Sequence, residues 1–174
     1  MVWFTGLSGA GKTTVANVVE AELEQRGHVV DHLDGDIVRT HLSKGLGFSK
    51  EDRDENIQRI GWVASRLARA GAAVIVSAIS PYEATRRRVR ALVEPHAPFI
   101  EVYVATPLEE CARRDPKGLY AAAFAGEISD FTGVSAPYEE PENPEVRIDT
   151  TGVSPSESAQ VVLERLEQLT VTHA

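Results

Sequence analysis

The chain has 174 residues, 43% of them apolar, and a net charge of −8; that length bounds it to one core and predicts a single domain over residues 1–174. The negative balance excludes the phosphate-neutralising charge pattern of a non-specific nucleic-acid binder. The lone Cys111 excludes a disulfide framework or a multi-cysteine metal site and predicts a reducing, cytoplasmic setting, while the lack of a membrane-length apolar run or a signal-like start predicts no membrane partner.

Val2 to Thr5 opens the chain as a strand candidate. Gly6-Leu7-Ser8-Gly9-Ala10-Gly11-Lys12-Thr13 follows and matches G-x-x-x-x-G-K-[ST] between a strand and a helix, the context that pattern requires. Its glycines let backbone N–H groups turn inward onto phosphate oxygens at a helix N-terminus. The pattern predicts an ATP site in which Lys12 bridges the β- and γ-phosphates and the Thr13 hydroxyl ligates Mg²⁺. Val15, Val18, Val19 and Leu23 then recur at helical spacing, with Gly27 placed to end the segment.

Val29 to Leu33 is the second strand candidate, and it runs into Asp34-Gly35-Asp36. Parallel sheets gather ligands beyond the carboxyl ends of their strands, which brings both carboxylates toward the phosphate loop. Asp34 suits Mg²⁺ held through water and Asp36 the proton of an attacking hydroxyl, although spacing does not decide between them. The plainer alternative is a turn whose aspartates cap a short helix. Ser49 ahead of Glu51 and Asp52 predicts a capped helix, with Ile57, Ile60, Val63 and Leu67 as its apolar stripe and an end near Gly71.

Ala73 to Ala78 carries the branched run Val74-Ile75-Val76, which predicts a central strand covered on both faces. Glu83 to Glu94 reads as a helix whose Arg86, Arg87, Arg88 and Arg90 match no binding motif and predict a solvated or interface face. Phe99 to Val104 is the fourth strand candidate, and Thr106-Pro107 predicts a cap with proline at the first helical position. Residues 115–144 are glycine- and proline-punctuated and predict a mobile lid, centred on 115–135. Val146 to Asp149 is the last strand candidate, and Ser154, Pro155 and Glu157 open a final helix carrying Val162, Leu166 and Leu169. The alternation predicts an α/β fold of P-loop NTPase type, a five-stranded parallel sheet flanked by helices. His28, His32, His41, His96 and His173 lack metal-ligand spacing and receive no function.

A P-loop alone serves switches, motors and transporters as well as kinases. The chain has no guanine-selective N-K-x-D segment and is short for a motor, which leaves a small-molecule kinase. The sequence resembles the adenylylsulfate (APS) kinases. The matching segments are Gly6 to Thr13, Asp34-Gly35-Asp36 with Arg39, Leu46-Gly47-Phe48-Ser49 with Asp52-Arg53 and Asn56-Ile57, Ser77 to Pro81, Arg114 to Tyr120, Gly126-Glu127-Ile128, Phe131-Thr132-Gly133, and Pro137-Tyr138 through Pro144.

The resemblance implies phosphorylation of the APS ribose 3′-hydroxyl by Mg·ATP to give 3′-phosphoadenylylsulfate (PAPS) in sulfate activation. It implies that Phe48 and Phe131 sandwich the APS adenine, that Arg39, Arg53 and Asn56 clamp the phosphosulfate and ribose, and that Ile79, Ser80 and Leu119 complete the substrate site. Lys117 is expected in the lid facing substrate anions, and Arg114 at its base on the ATP adenine. Ser80 is a family site counted with Lys12, Asp34 and Asp36, for which direct in-line transfer favours a positioning role over a phosphoserine. The resemblance further implies a homodimer, with fusion to or association with ATP sulfurylase as the alternative to a free-standing chain. The rivals are a nucleoside monophosphate, shikimate or gluconate kinase and a non-catalytic nucleotide-binding module.

Overall fold

The computed structural model describes residues 1–171, so His173 lies outside the described residues. In chain order the elements are β1 (Val2–Thr5), α1 (Lys12–Gln25), β2 (Val30–Asp34), α2 (Gly35–His41), α3 (Lys50–Arg69), β3 (Ala73–Ser77), α4 (Glu83–Val93), β4 (Ile100–Val104), α5 (Leu108–Arg114), α6 (Leu119–Phe124), β5 (Val146–Ile148) and α7 (Pro155–Val171). The strands pair in parallel in the order β2-β3-β1-β4-β5.

β1 sits at the centre, and the two-residue alternation of its side chains builds both layers of the core. Val2 and Phe4 point to one face and meet Val15, Val19 and Leu23 of α1 and Val162 and Leu163 of α7. Trp3 points to the other and packs with Ile57, Ile60 and Ala64 of α3 and Val89 and Val93 of α4. All of these side chains are buried, and each of the large ones is worth about 1.5–3 kcal/mol in area removed from water. α3 and α4 approach closely because Gly61 has no side chain: a Cβ there would stand 2.5 Å from Val89 Cγ2. β3 lies between β2 and β1, and Val74, Ile75 and Val76 are buried on both its faces, as the branched run predicts.

Local signals place most of the helix ends. Ser49 Oγ accepts from the Asp52 N–H, and Ser154 and Glu157 exchange the reciprocal bonds of a capping box ahead of Pro155. The structure corrects several expectations. β2 begins at Val30 rather than Val29, whose side chain is 76% exposed although its carbonyl accepts from the Ala73 N–H at 2.8 Å. Thr106 does not cap α5; its hydroxyl donates to the Ala10 carbonyl of the phosphate loop, 3.0 Å away. The stretch after Asp115 is not irregular throughout: Asp115 Oδ1 and Oδ2 each accept a backbone N–H, from Tyr120 and Ala121 at 3.0 Å, and anchor α6.

The arginines of α4 divide. Arg87 and Arg88 are exposed, as expected, but Arg86 is 2% exposed and Arg90 is half-buried. Residues 86, 89, 90 and 93 share the inward helical face, and a charge taken out of water there requires partners. Arg86 Nε donates to Glu101 Oε1 at 2.9 Å, and Arg90 holds both carboxylate oxygens of Glu145 at 2.8 Å.

Candidate active site

The carboxyl ends of β1, β2 and β3 open into a cavity of about 740 Å³, a size suited to nucleotide-class ligands. At one end the chain leaves β1 through Gly6, with φ 146° and the Val104 carbonyl 2.6 Å from where a Cβ would stand, so the tight exit requires glycine. Gly11, also left-handed, gives α1 no side-chain cap, which leaves the helix's first N–H groups available to an anion. The buried Lys12 ammonium lies across the loop and donates to the Gly6 and Leu7 carbonyls at 3.0 and 2.7 Å. Burial lowers its pKa to about 8.

Asp34 does two jobs at the end of β2. Its Oδ1 accepts from the Asp36 N–H at 2.9 Å and caps α2, the plainer alternative. Its Oδ2 accepts from Thr13 Oγ1 at 2.7 Å and Ser77 Oγ at 3.0 Å. Burial pushes this carboxyl up, but the hydrogen bonds from Thr13, Ser77 and the Asp36 and Ile37 N–H groups hold it below its ordinary value. Behind Ser77, His32 bridges Ser77 Oγ and Glu20 Oε2 at 2.9 Å each, an ordering link that no sequence spacing marks. Among the described residues no group of three acidic, histidine or cysteine side chains forms a closed metal cage. The adjacent Thr13 hydroxyl and Asp34 carboxylate fit the incomplete oxygen set with which Mg²⁺ is held when phosphates supply the remaining ligands.

Asp36 projects from α2 toward the segment between α5 and α6, where its carboxylate pairs with Lys117. Past it, Arg39 stands 4.5 Å over the ring of Phe48, which is 60% exposed and faces the cavity. Phe131 also lines the cavity but belongs to the core, 9% exposed and edge-on to Tyr120 at 5.0 Å. Arg53 is committed to the protein: Nε donates to Phe48 O and Nη1 to Thr132 Oγ1, both at 2.8 Å, and Nη2 to Asp130 O. It therefore ties α3 to the segment around Asp130 and Thr132. Asn56 lines the same cavity, and its buried Oδ1 has no hydrogen-bond partner among the described residues.

Ile79, Ser80 and Leu119 line the cavity too. Ser80 is buried with φ 41°, and its hydroxyl engages the Trp3 indole at 3.1 Å and the Ala78 carbonyl, with no base beside it. Arg114 closes the phosphate-loop side, fixed by Glu110 Oε1 at 2.8 Å and by the Thr150 hydroxyl and carbonyl at 2.8 and 3.0 Å. Thr150 and Thr106 brace Ala10, and Arg86 braces Ser80; sequence reasoning gives none of the three this role, reading Thr106 as a cap and Arg86 as a surface charge, because their partners are distant in the chain.

The sequence model of the adenylylsulphate kinase family matches residues 1–149. An adenylyl-sulfate kinase of Picosynechococcus sp. is 55% identical over 168 residues, covering 97% of this chain and 93% of the relative. A probable bifunctional SAT/APS kinase of Sorangium cellulosum is 56% identical over 97% of this chain, which spans 29% of that protein. Among solved structures, the Mycobacterium tuberculosis APS kinase CysC in complex with AMPPNP and APS superposes with a TM-score of 0.92 at 48% identity, over 95% of this chain and 96% of that one. With the family matched across most of its length and relatives above half identity, the chain belongs to the adenylylsulfate kinase family.

Proposed function

We propose that this chain transfers the γ-phosphoryl group of ATP to the ribose 3′-hydroxyl of APS, giving PAPS and ADP. The observation that carries the reading is the continuity of one cavity from the phosphate loop to the exposed Phe48 and to Asn56. A solved relative of the same fold holds AMPPNP and APS together.

In this reading Gly6 to Thr13 cradle the ATP phosphates, and Lys12 exchanges its two carbonyl partners for phosphate oxygens whose charge grows in the transition state. Asp36 takes the 3′-hydroxyl proton as that oxygen bonds to the γ-phosphorus and the bond to the β,γ-bridging oxygen breaks. Lys117 leaves Asp36 for substrate anions as the lid closes. Thr13 directly, and Asp34 through water, would hold Mg²⁺, which supplies charge neutralisation at the phosphates. Phe48 and Phe131 are the two rings for the APS adenine, Arg39, Arg53 and Asn56 serve its phosphosulfate and ribose, and Arg114 borders the ATP adenine. The engagement of Ser80 Oγ with Trp3 favours a positioning role for that residue.

A homodimer is the proposed assembly; fusion to or association with ATP sulfurylase is the alternative to a free-standing chain, and the bifunctional SAT/APS kinase relative supports it. Among the described residues no helix is long and apolar enough to cross a membrane; a cytoplasmic setting is proposed.

The test is steady-state phosphorylation with Mg·ATP, comparing APS with AMP, shikimate and gluconate and identifying the product by mass. PAPS formed with strong preference for APS is expected; turnover of another acceptor in place of APS would overturn the reading.

A further inference from the structure

The turn Ile79–Ser80 leaves β3 and lines the acceptor half of the cavity. Ser80 sits at φ 41°, in the left-handed region that non-glycine residues enter only when their surroundings impose it. The imposing groups lie behind the turn. Arg86 Nη1 donates to the Ser80 carbonyl at 2.8 Å, and Thr5 Oγ1 donates to the Ile79 carbonyl at 2.7 Å. Arg86 is fixed in turn by Glu101 Oε1 and by the Glu139 carbonyl at 2.7 Å, while the Glu139 N–H donates to Pro81 O at 2.8 Å. Both Arg86 and Thr5 are buried and neither lines the cavity.

We infer that Arg86 and Thr5 are positioning residues for the acceptor: they hold the Ile79–Ser80 turn in its strained form and thereby set APS affinity without touching APS. The inference rests on the reading that this turn meets APS. A guanidinium is suited to the task because its fork reaches the turn, β4 and the return limb of the lid at once, which an ammonium does not. Without it the turn can relax toward ordinary backbone angles, and Ile79 and Ser80 move with it. ATP, held by the phosphate loop and Arg114, is spared.

The experiment measures KM for APS and for ATP, together with kcat and the melting temperature, in the wild-type enzyme and in Arg86→Met, Arg86→Lys, Thr5→Val and Ile79→Ala. Losing hydrogen bonds from a charged donor predicts about a tenfold rise in KM for APS in Arg86→Met, a smaller rise in Arg86→Lys and Thr5→Val, and KM for ATP within about twofold of wild type. A merely structural role would lower the melting temperature and the active fraction without separating the two KM values, and that result overturns the inference. If Arg86→Met fails to fold, Arg86→Lys and Thr5→Val carry the test. An unchanged KM for APS in Ile79→Ala would sink the reading of the turn as an acceptor contact. A raised value there, with none in Arg86→Lys and Thr5→Val, would sink the positioning inference alone.

Discussion

Lys117, between α5 and α6, and Asp36 of α2 form an ion pair across the mouth of the cleft, and both side chains remain more than half exposed. An exposed pair of this kind contributes little to stability, so its value lies in where it places the carboxylate. Asp36→Asn keeps the shape and removes the carboxylate proposed to take the 3′-hydroxyl proton. The expected outcome is a fall in kcat of roughly 10²–10⁴ with a melting temperature within about 3 °C of wild type. Lys117→Ala should leave the melting temperature equally unmoved and raise KM for APS. A large loss of stability in either variant would show that the pair is structural.

Lys12 links the phosphate loop to pH. Its ordinary pKa of 10.5 falls to about 8 because it is buried, so the unfolded chain holds this proton more tightly than the folded one. Burial of Lys12 therefore subtracts from stability below about pH 8, and that cost fades as pH rises from about 8 toward 10.5. Phosphate oxygens favour the charged amine and raise its pKa again. ATP binding should then take up protons near pH 8 and almost none at pH 6.5, as read by calorimetry in two buffers of different ionisation enthalpy. Lys12→Ala should abolish the uptake and phosphoryl transfer while keeping the fold; near-normal turnover in that variant would contradict its role.

How much of this was legible in the sequence depends on how far each residue's partner lies along the chain. The phosphate loop, the Ser49 cap and the Ser154–Glu157 box are contiguous, and each appears where local chemistry places it. Thr106-Pro107 carries an equally good local signal, yet the Ala10 carbonyl and Thr150 hydroxyl, 96 and 44 residues away, claim the threonine. Arg86 looked like one of four surface arginines because Glu101 and Glu139 reach it from 15 and 53 residues away. A signal for it existed in the helical spacing of Arg86, Val89 and Val93, which puts the arginine on the apolar face. Helix α6 was hidden by the flanking glycines, although Leu119-Tyr120-Ala121-Ala122-Ala123 is rich in strong helix formers.

The two aromatic rings expected to stack on the APS adenine differ in burial, and their variants should differ accordingly. Phe48 is 60% exposed, so Phe48→Ala should cost about 1 kcal/mol of APS binding, roughly a fivefold rise in Kd. Its ATP affinity and melting temperature should stay near wild type. Phe131 is 9% exposed and packs edge-on to Tyr120, so Phe131→Ala should cost about 3 kcal/mol or more of stability whatever it does to binding. Chemical denaturation alongside calorimetric titration separates the two. Equal losses of APS and ATP binding in Phe48→Ala would count against the stacking assignment.

Arg114 supplies the converse test on the nucleotide side. Its guanidinium is anchored by Glu110 and twice by Thr150, and the same Thr150 hydroxyl donates to Ala10 O at 2.8 Å, so the arginine braces the phosphate loop as well as bordering the cavity. Arg114→Ala removes a flat cationic face and the brace together. KM for ATP should rise about tenfold, the scale of one lost charge-assisted contact, while KM for APS moves by less than about twofold. Arg114→Lys should recover little, since a single ammonium does not reproduce the fork that reaches Glu110 and both oxygens of Thr150. Full recovery by lysine would mean that charge alone matters here, and a rise in KM for APS as large as that for ATP would move Arg114 from the nucleotide site to the lid.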